Sequence, residues 1–237
     1  MNVDLFINKL AEYIPGKNVF NPWGGTSDPN YDLPDAPARR KENLSKYLRQ
    51  RVPNAKYIFV GEALGYQGGR FSGIAMTSER ILSDSYRNIS SESVFYTEMK
   101  FDNHRSSNHN LELNAKVRKQ FGFAEPTATT VWTTMHQLGL NPNHIILWNI
   151  LPFHPFEPEK GSLSNRPLDT EADDLKTGVI FVQALLEMNP NATIIAIGNP
   201  AKTILNANNI PCLAIRHPSN GGAPEFNQGL RDIIKGQ

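Results

Sequence analysis

The sequence has a single cysteine, Cys212, in 237 residues. One thiol excludes an intramolecular disulfide and any four-cysteine zinc or iron–sulfur site, and it leaves little room for redox chemistry at sulfur. Long hydrophobic runs are missing as well. The longest apolar stretches, Ile145–Trp148 and Thr193–Ile197, are strand-sized, whereas a membrane-spanning helix needs about 20 apolar residues. The start, MNVDLFINKLAEYIPG, lacks the basic-then-apolar pattern of a secretory leader. These absences predict a soluble, cytoplasmic protein, expected as a monomer with no membrane partner. Excess charge of one sign is lacking too: 24 Lys and Arg against 23 Asp and Glu give a net charge of +1. That excludes a broad electrostatic grip on nucleic acid, so any phosphate binding must be local. Arg39, Arg40 and Lys41, then Arg49 and Arg51, then Lys100 and Arg105 are candidates, although such runs are also how a solvated helix face reads.

What is present is an alternation of strand and helix patterns. Tyr57–Val60, Ile145–Ile150, Thr193–Ile197 and Cys212–Ile215 are continuously apolar, the mark of strands covered on both faces of a parallel sheet. Before the second of them, Val131, Met135 and Leu138 form a helical stripe ending at Gly139 with Pro142 beyond. After it, Thr170 and Asp173 have capping-box spacing, and Leu175, Val179, Val182 and Leu185 continue as a helix that Pro190 closes. The pattern predicts an α/β chain of one domain, 1–237, folded as a three-layer α/β/α sandwich around a four-stranded parallel sheet. Two segments break the alternation. Residues 14–38 carry five prolines and are expected as an irregular surface lead-in. Residues 86–128 are a long polar insertion, a binding loop or a flexible decoration.

Ligands of open parallel sheets bind outside the carboxyl ends of the strands. There the sequence places GEALGYQGGRFSG, then Asn149 and the Pro-Phe-His-Pro turn, then Gly198-Asn199-Pro200, then RHPSNGG. A carboxylate, an amide and an imidazole thus converge on one rim. The glycines of residues 61–69 match neither a Walker loop nor the dinucleotide register, which sets nucleoside-triphosphate binding aside. Alternatively they only let the chain turn tightly off a buried strand. The histidines show no ligand spacing with carboxylates, so no metal site is expected, and His154 reads as packing.

GEALGYQGGRFSGIAMTSER resembles the first motif of the uracil-DNA glycosylase superfamily, a Gly-Glu-Ala-Pro-Gly loop followed by Gly-x-Pro-Phe; Leu64 stands in the proline place and Met76 in the phenylalanine place. ILWNILPFHP is similar to the strand that supplies that superfamily's base-reading asparagine, and RHPSNGG resembles its His-Pro-Ser motif. Within the superfamily, the Gly-Glu-Ala-Pro-Gly branch carries a four-cysteine iron–sulfur cluster. This chain, with one cysteine, resembles a cluster-free relative. The resemblance implies a base flipped out of DNA, hydrolysis of its N-glycosidic bond during base excision repair, and no cofactor.

Breaking the bond to uracil leaves negative charge on the base and positive charge on the sugar. Glu62 is the candidate that stabilises the sugar or orients water, with a cap or loop hydrogen bond as its plainer role. His217 is the candidate donor to the base oxygen, worth about 3 kcal/mol. Asn149 ends a buried strand, where its amide must meet backbone or ligand, and its planar donor–acceptor pair matches the uracil edge. Ala63 and Gly65 would approach the base, Phe71 and Met76 are candidates for its apolar face, and both could equally be core. Arg216 and Ser219 are candidate phosphate contacts. No bulky apolar wedge follows His217, which favours single-stranded or mismatched DNA over paired DNA, or a wedge supplied by the insertion at 86–128. The alternatives are a catalytically silent nucleic-acid or nucleobase-binding module and a nucleosidase for small molecules.

Overall fold

A computed structural model describes residues 1–83, 86, 89, 91–95, 104–109, 120–168 and 173–236. Thr170, with its capping box, and Lys100 fall outside the described residues.

After a helix at Val3–Glu12 the chain forms β1 (Val19–Phe20), a helix at Ala36–Arg51, and β2 (Tyr57–Ala63). Further on come the helix Pro126–Gln137, β3 (Ile145–Leu151), β4 (His154–Pro155) and the helix Asp173–Met188, then β5 (Thr193–Ile197), the helix Asn199–Ala207, β6 (Leu213–Ile215) and the helix Ala223–Lys235. The four predicted strands pair in parallel in the order β3-β2-β5-β6, flanked by helices in the expected three-layer sandwich. For β3 the apolar run has the expected cause, every residue being buried, so no polar face is needed; in β6 the expectation of two covered faces fails, since Leu213 and Ala214 are exposed and only Ile215 is buried. The Leu175, Val179, Val182 and Leu185 stripe is buried, and Gly139 takes the left-handed backbone, φ 64°, that ends the preceding helix.

From β2 the chain first crosses to β3 on one side and later to β5 on the other. That reversal opens a crevice at the carboxyl end of β2. β3 is an edge strand, and the helix Ala36–Arg51 covers it: the Leu147 amide donates to the Tyr47 hydroxyl at 2.7 Å, which leaves one fewer strand-edge donor open to foreign pairing.

Residues 14–38 do more than wrap the surface. Trp23 is buried and stacks near Trp148, and β1 pairs antiparallel with β4. Asp32, only 4% exposed, is the centre of a buried charge network. Arg40 binds both of its oxygens, at 3.0 and 2.5 Å, and Arg70 reaches it at 2.8 Å. Arg70 also bonds Asp28 and Ser162, and Arg40 bonds Ser106. Arg40, Arg51 and Arg105 are therefore corrected as phosphate candidates: all three are buried, because their guanidinium groups are consumed by carboxylate, backbone and hydroxyl acceptors. Of their neighbours, Arg39 pairs with Asp35 and Arg49 with Asp4. Part of the 86–128 insertion is packed rather than decorative: His104, Arg105, Ser106 and Ser107 are all buried, and residues 126–128 already belong to the helix Pro126–Gln137.

Burial pushes the Asp32 carboxyl up, but the charges of Arg40 and Arg70 outweigh it and hold the group below its ordinary value of 3.8. Its stabilising contribution is thus complete above pH 3.8 and is lost as pH falls through the lower folded value. Asp32→Ala, which strands two buried guanidinium groups, is expected to cost about 3–5 kcal/mol in urea unfolding at pH 7. A loss below about 1 kcal/mol, the scale of an exposed pair, would show that the network does not hold this half of the molecule.

Candidate active site

The carboxyl ends of β2, β3 and β6 meet around a cavity of about 560 Å³, within the size range of small-ligand sites. Of the predicted residues it is lined by Glu62, Ala63, Gly65, Met76, Asn149, His217 and Ser219. Glu62, His217 and Ser219 also line an adjoining hollow of about 260 Å³ that reaches Arg216. The exposed guanidinium of Arg216 therefore stands at the rim.

Phe71 is placed elsewhere. It is fully buried and stacks on Phe123 with centroids 4.2 Å apart, while the Arg70 guanidinium lies 4.2 Å from its ring centroid on the charged network. Its aromatic surface is occupied there and is not offered to the cavity. Met76 does line the cavity, in the left-handed backbone region at φ 48°. That conformation costs a non-glycine residue on the order of 1–2 kcal/mol. Trp132 secures it by donating its indole N–H to the Met76 carbonyl at 3.1 Å.

Asn149 pairs in register with Gly61 across β2 and β3. A β-carbon at residue 61 would sit 2.6 Å from Asn149 Oδ1 and 3.7 Å from Met76 Sδ, so glycine is what lets the amide stand at this point of the sheet. The Asn149 side chain is nearly buried, yet among the described residues no hydrogen bond to its amide is formed. A polar group placed so is costly without a partner and serves a ligand at little extra desolvation. Glu62 is half-buried, and its carboxylate likewise accepts no hydrogen bond among the described residues. It caps no helix.

His217 is oriented by its own turn. The Ser219 backbone N–H donates to Nδ1 at 3.1 Å, and the Ser219 hydroxyl lies 2.7 Å from the same nitrogen. An amide can only donate, so Nδ1 is the acceptor and the neutral ring carries its proton on Nε2. Burial, assisted by the charge of Arg216, lowers the His217 pKa below its ordinary 6.5. The imidazole is thus a neutral donor at physiological pH. Ser219, expected as a phosphate contact, has its hydroxyl turned onto this histidine. His154 packs as expected: it is buried, and its ring spans the carbonyls of Leu64 at 2.8 Å and Ser162 at 3.0 Å.

Sequence reasoning missed Glu125, Thr127, Asn165 and Arg166, which complete the wall. Asn165 Oδ1 accepts the Tyr66 N–H at 3.0 Å and pins the loop after β2. Asn165 and Arg166 carry no motif. Glu125 had a signal that pointed elsewhere: an acid directly before a proline at the start of a helix reads as a cap, but its side chain makes no cap hydrogen bond.

No family model matches the chain, and no curated protein matches it. Among solved structures it is similar to the crystal structure of wild-type SMUG2 from Pedobacter heparinus, with a TM-score of 0.58 over 99% of this chain and 97% of that one at 11% sequence identity. The two share a fold. Among the described residues no helix is long and apolar enough to cross a membrane.

The tautomer and charge of His217 are open to direct measurement. Its titration, followed by nitrogen-detected histidine NMR, is expected to show the Nε2-protonated neutral ring at pH 7. Arg216→Ala should move the midpoint up, part of the way to the ordinary value, because one lowering influence is removed. An Nδ1-protonated ring, or a midpoint that Arg216→Ala leaves in place, would contradict this electrostatic account.

Proposed function

We propose that this chain is a DNA glycosylase that hydrolyses the N-glycosidic bond of uracil or another deaminated base. The observation that carries the proposal is the meeting, in one cavity, of an unpartnered carboxylate, an unpartnered strand-end amide and a neutral imidazole with a fixed Nε2 proton. Each is the type of group that one part of the reaction requires. The motifs that resemble the uracil-DNA glycosylase superfamily supply these three residues, and the fold likeness to SMUG2 spans nearly the whole chain.

In this reading the Asn149 amide accepts from the base N3–H and donates to O4. His217 Nε2–H donates to the oxygen on which negative charge grows, a preorganised contact worth about 3 kcal/mol in the transition state. As the bond breaks, its electron pair stays on the base and the sugar carbon becomes electron-poor. Glu62 stabilises that carbon and aligns water, whose oxygen adds to it while its proton passes to the carboxylate and on to solvent, the base anion taking a proton from solvent after it leaves. Met76 provides an adaptable apolar wall beside the base, and Arg216 at the rim contacts a phosphate. The extended DNA would be held locally, in keeping with a net charge of +1.

The test is incubation with labelled single- and double-stranded oligonucleotides carrying one uracil, hypoxanthine or xanthine, followed by alkaline cleavage of abasic sites. Excision is expected from at least one of them, on single-stranded or mismatched DNA first. Binding without excision would select a silent nucleobase-binding module, and release from free deoxyuridine alone would select a nucleosidase. Glu62→Gln is expected to remove most single-turnover activity and leave binding to abasic DNA nearly intact, since its charge acts in the transition state; a near-full rate would place the catalytic carboxylate elsewhere. Asn149→Asp replaces the donor to uracil O4 by an acceptor, so that two lone-pair sets face each other, and should slow uracil release by a factor of about 100 or more. Equal single-turnover rates for that variant and the wild type would show that Asn149 does not read the base.

A further inference from the structure

The cavity contains a second carboxyl, Glu125, for which the glycosidic chemistry above has no task. It sits at the start of the helix Pro126–Gln137, where a carboxylate ordinarily bonds the first free amides, yet it makes no such bond. The side chain lies instead against the turn that follows β2. A β-carbon on Gly65 would collide with Glu125 Oε1, and one on Gly68 with Oε2. The two glycines, which sequence alone explains as a tight turn, are therefore also the floor on which this carboxyl rests. Oε2 is enclosed there with no hydrogen-bond partner. Oε1 is neither enclosed nor bonded, and the residue lines the same cavity as Asn149, Glu62 and His217.

We infer that Glu125 is a specificity-determining residue of this pocket, which in its neutral form donates a hydrogen bond from Oε1 to a carbonyl oxygen of the bound base. The inference rests on reading the cavity as a nucleobase site. An ionised carboxylate with one oxygen shut away from water and unpartnered is expensive, whereas the protonated acid is not; burial accordingly pushes the Glu125 pKa up to about 7. No cation offsets this, since no charge partner contributes to the shift. The other ionisable groups on the cavity wall are Glu62 on β2, Arg166 on the segment after β4, and His217 after β6. Of these His217 has its pKa lowered below the ordinary 6.5 by burial and by the charge of Arg216, so it titrates below Glu125.

The consequence is a pocket whose preference turns with pH. Below about pH 7 Glu125 offers a donor, which suits the carbonyl-rich edge of a deaminated base. Above that value it can only accept, and it then repels carbonyl oxygens and tolerates an exocyclic amine instead. Because the folded value is raised, the acid's favourable state is complete at low pH and is lost as pH rises through it.

The probe is a single-stranded oligonucleotide carrying one 2′-fluoroarabino-deoxyuridine, whose glycosidic bond resists hydrolysis, with an abasic-analogue oligonucleotide as reference. The preference for the first over the second is measured by fluorescence anisotropy from pH 6 to pH 9. For the wild type it is expected to fall by about 100-fold as the acid ionises. In Glu125→Gln, a neutral donor of the same shape, it should stay flat. Gly68→Ala, whose β-carbon displaces the carboxyl from its enclosed seat, should lower the preference at pH 6 while the protein retains a cooperative melt. Equal pH dependence in wild type and Glu125→Gln, or no preference for the uracil analogue at any pH, overturns the inference. The outcome is separable from the glycosylase reading. A wild type that excises no base but shows the Glu125-dependent preference loses only its enzymatic role, and one that excises uracil with the same pH profile as Glu125→Gln loses only this inference.

Discussion

The structure depends on a carboxylate held away from water between two guanidinium groups. Asp32 could not be buried alone, and neither could Arg40 or Arg70, since an isolated charge in a protein interior costs several kcal/mol even after relaxation. Together they satisfy one another. Because each comes from a different segment, the mutual need fixes the relative placement of the lead-in, the helix Ala36–Arg51 and the turn around Gly69–Ser72. Further bonds extend the same cluster to Ser106 in the insertion and to Ser162 after β4. A second buried carboxylate, Glu79, continues it by accepting from the backbone amides of Ser106 and Ser107 at 2.8 and 2.9 Å. Long polar segments that could not build a core of their own are thereby secured to the sheet.

This network lies outside the cavity, but it determines the cavity's floor. The segment that carries Glu62, Ala63 and Gly65 begins in the last residues of β2 and meets Arg70 at its other end. Between these anchors, His154 contacts the Leu64 carbonyl and Asn165 holds the Tyr66 amide. A loop tethered at that many points keeps its carboxylate in one place, as a site that must meet a developing charge requires. The left-handed backbone of Met76, clamped by Trp132, is a further local cost accepted at the cavity wall.

The charge states around the cavity follow from burial more than from pairing. His217 is kept neutral mainly because it is desolvated, and Glu125 is driven toward its protonated form for the same reason. The cavity therefore presents a neutral imidazole at physiological pH and a Glu125 carboxyl that titrates close to it, while a positively charged side chain, Arg216, remains at the exposed rim. Such a division suits a ligand whose base is to be buried and whose phosphates stay in water.

Sequence alone determined the sheet: consecutive apolar runs mark the strands of a parallel sheet, although the last of them, β6, is exposed at Leu213 and Ala214. It likewise placed Glu62, Asn149 and His217 toward the carboxyl ends of three strands, because a polar residue in or just after an apolar run stands out. Tertiary structure decided what depends on neighbours distant in the chain. Phe71 looks like a stacking face until Phe123, some fifty positions later, is found against it. Arg40 reads as a surface cation because its acceptor Asp32 lies in the irregular lead-in, and Arg105 because no local pattern shows that the segment around Ser107 is buried. Glu125 reads as a helix cap because only folding brings Gly65 and Gly68 beneath its carboxyl. In each case a local pattern records what a residue prefers, while desolvation, which sets the energy of a buried charge or ring, is a property of everything that surrounds it.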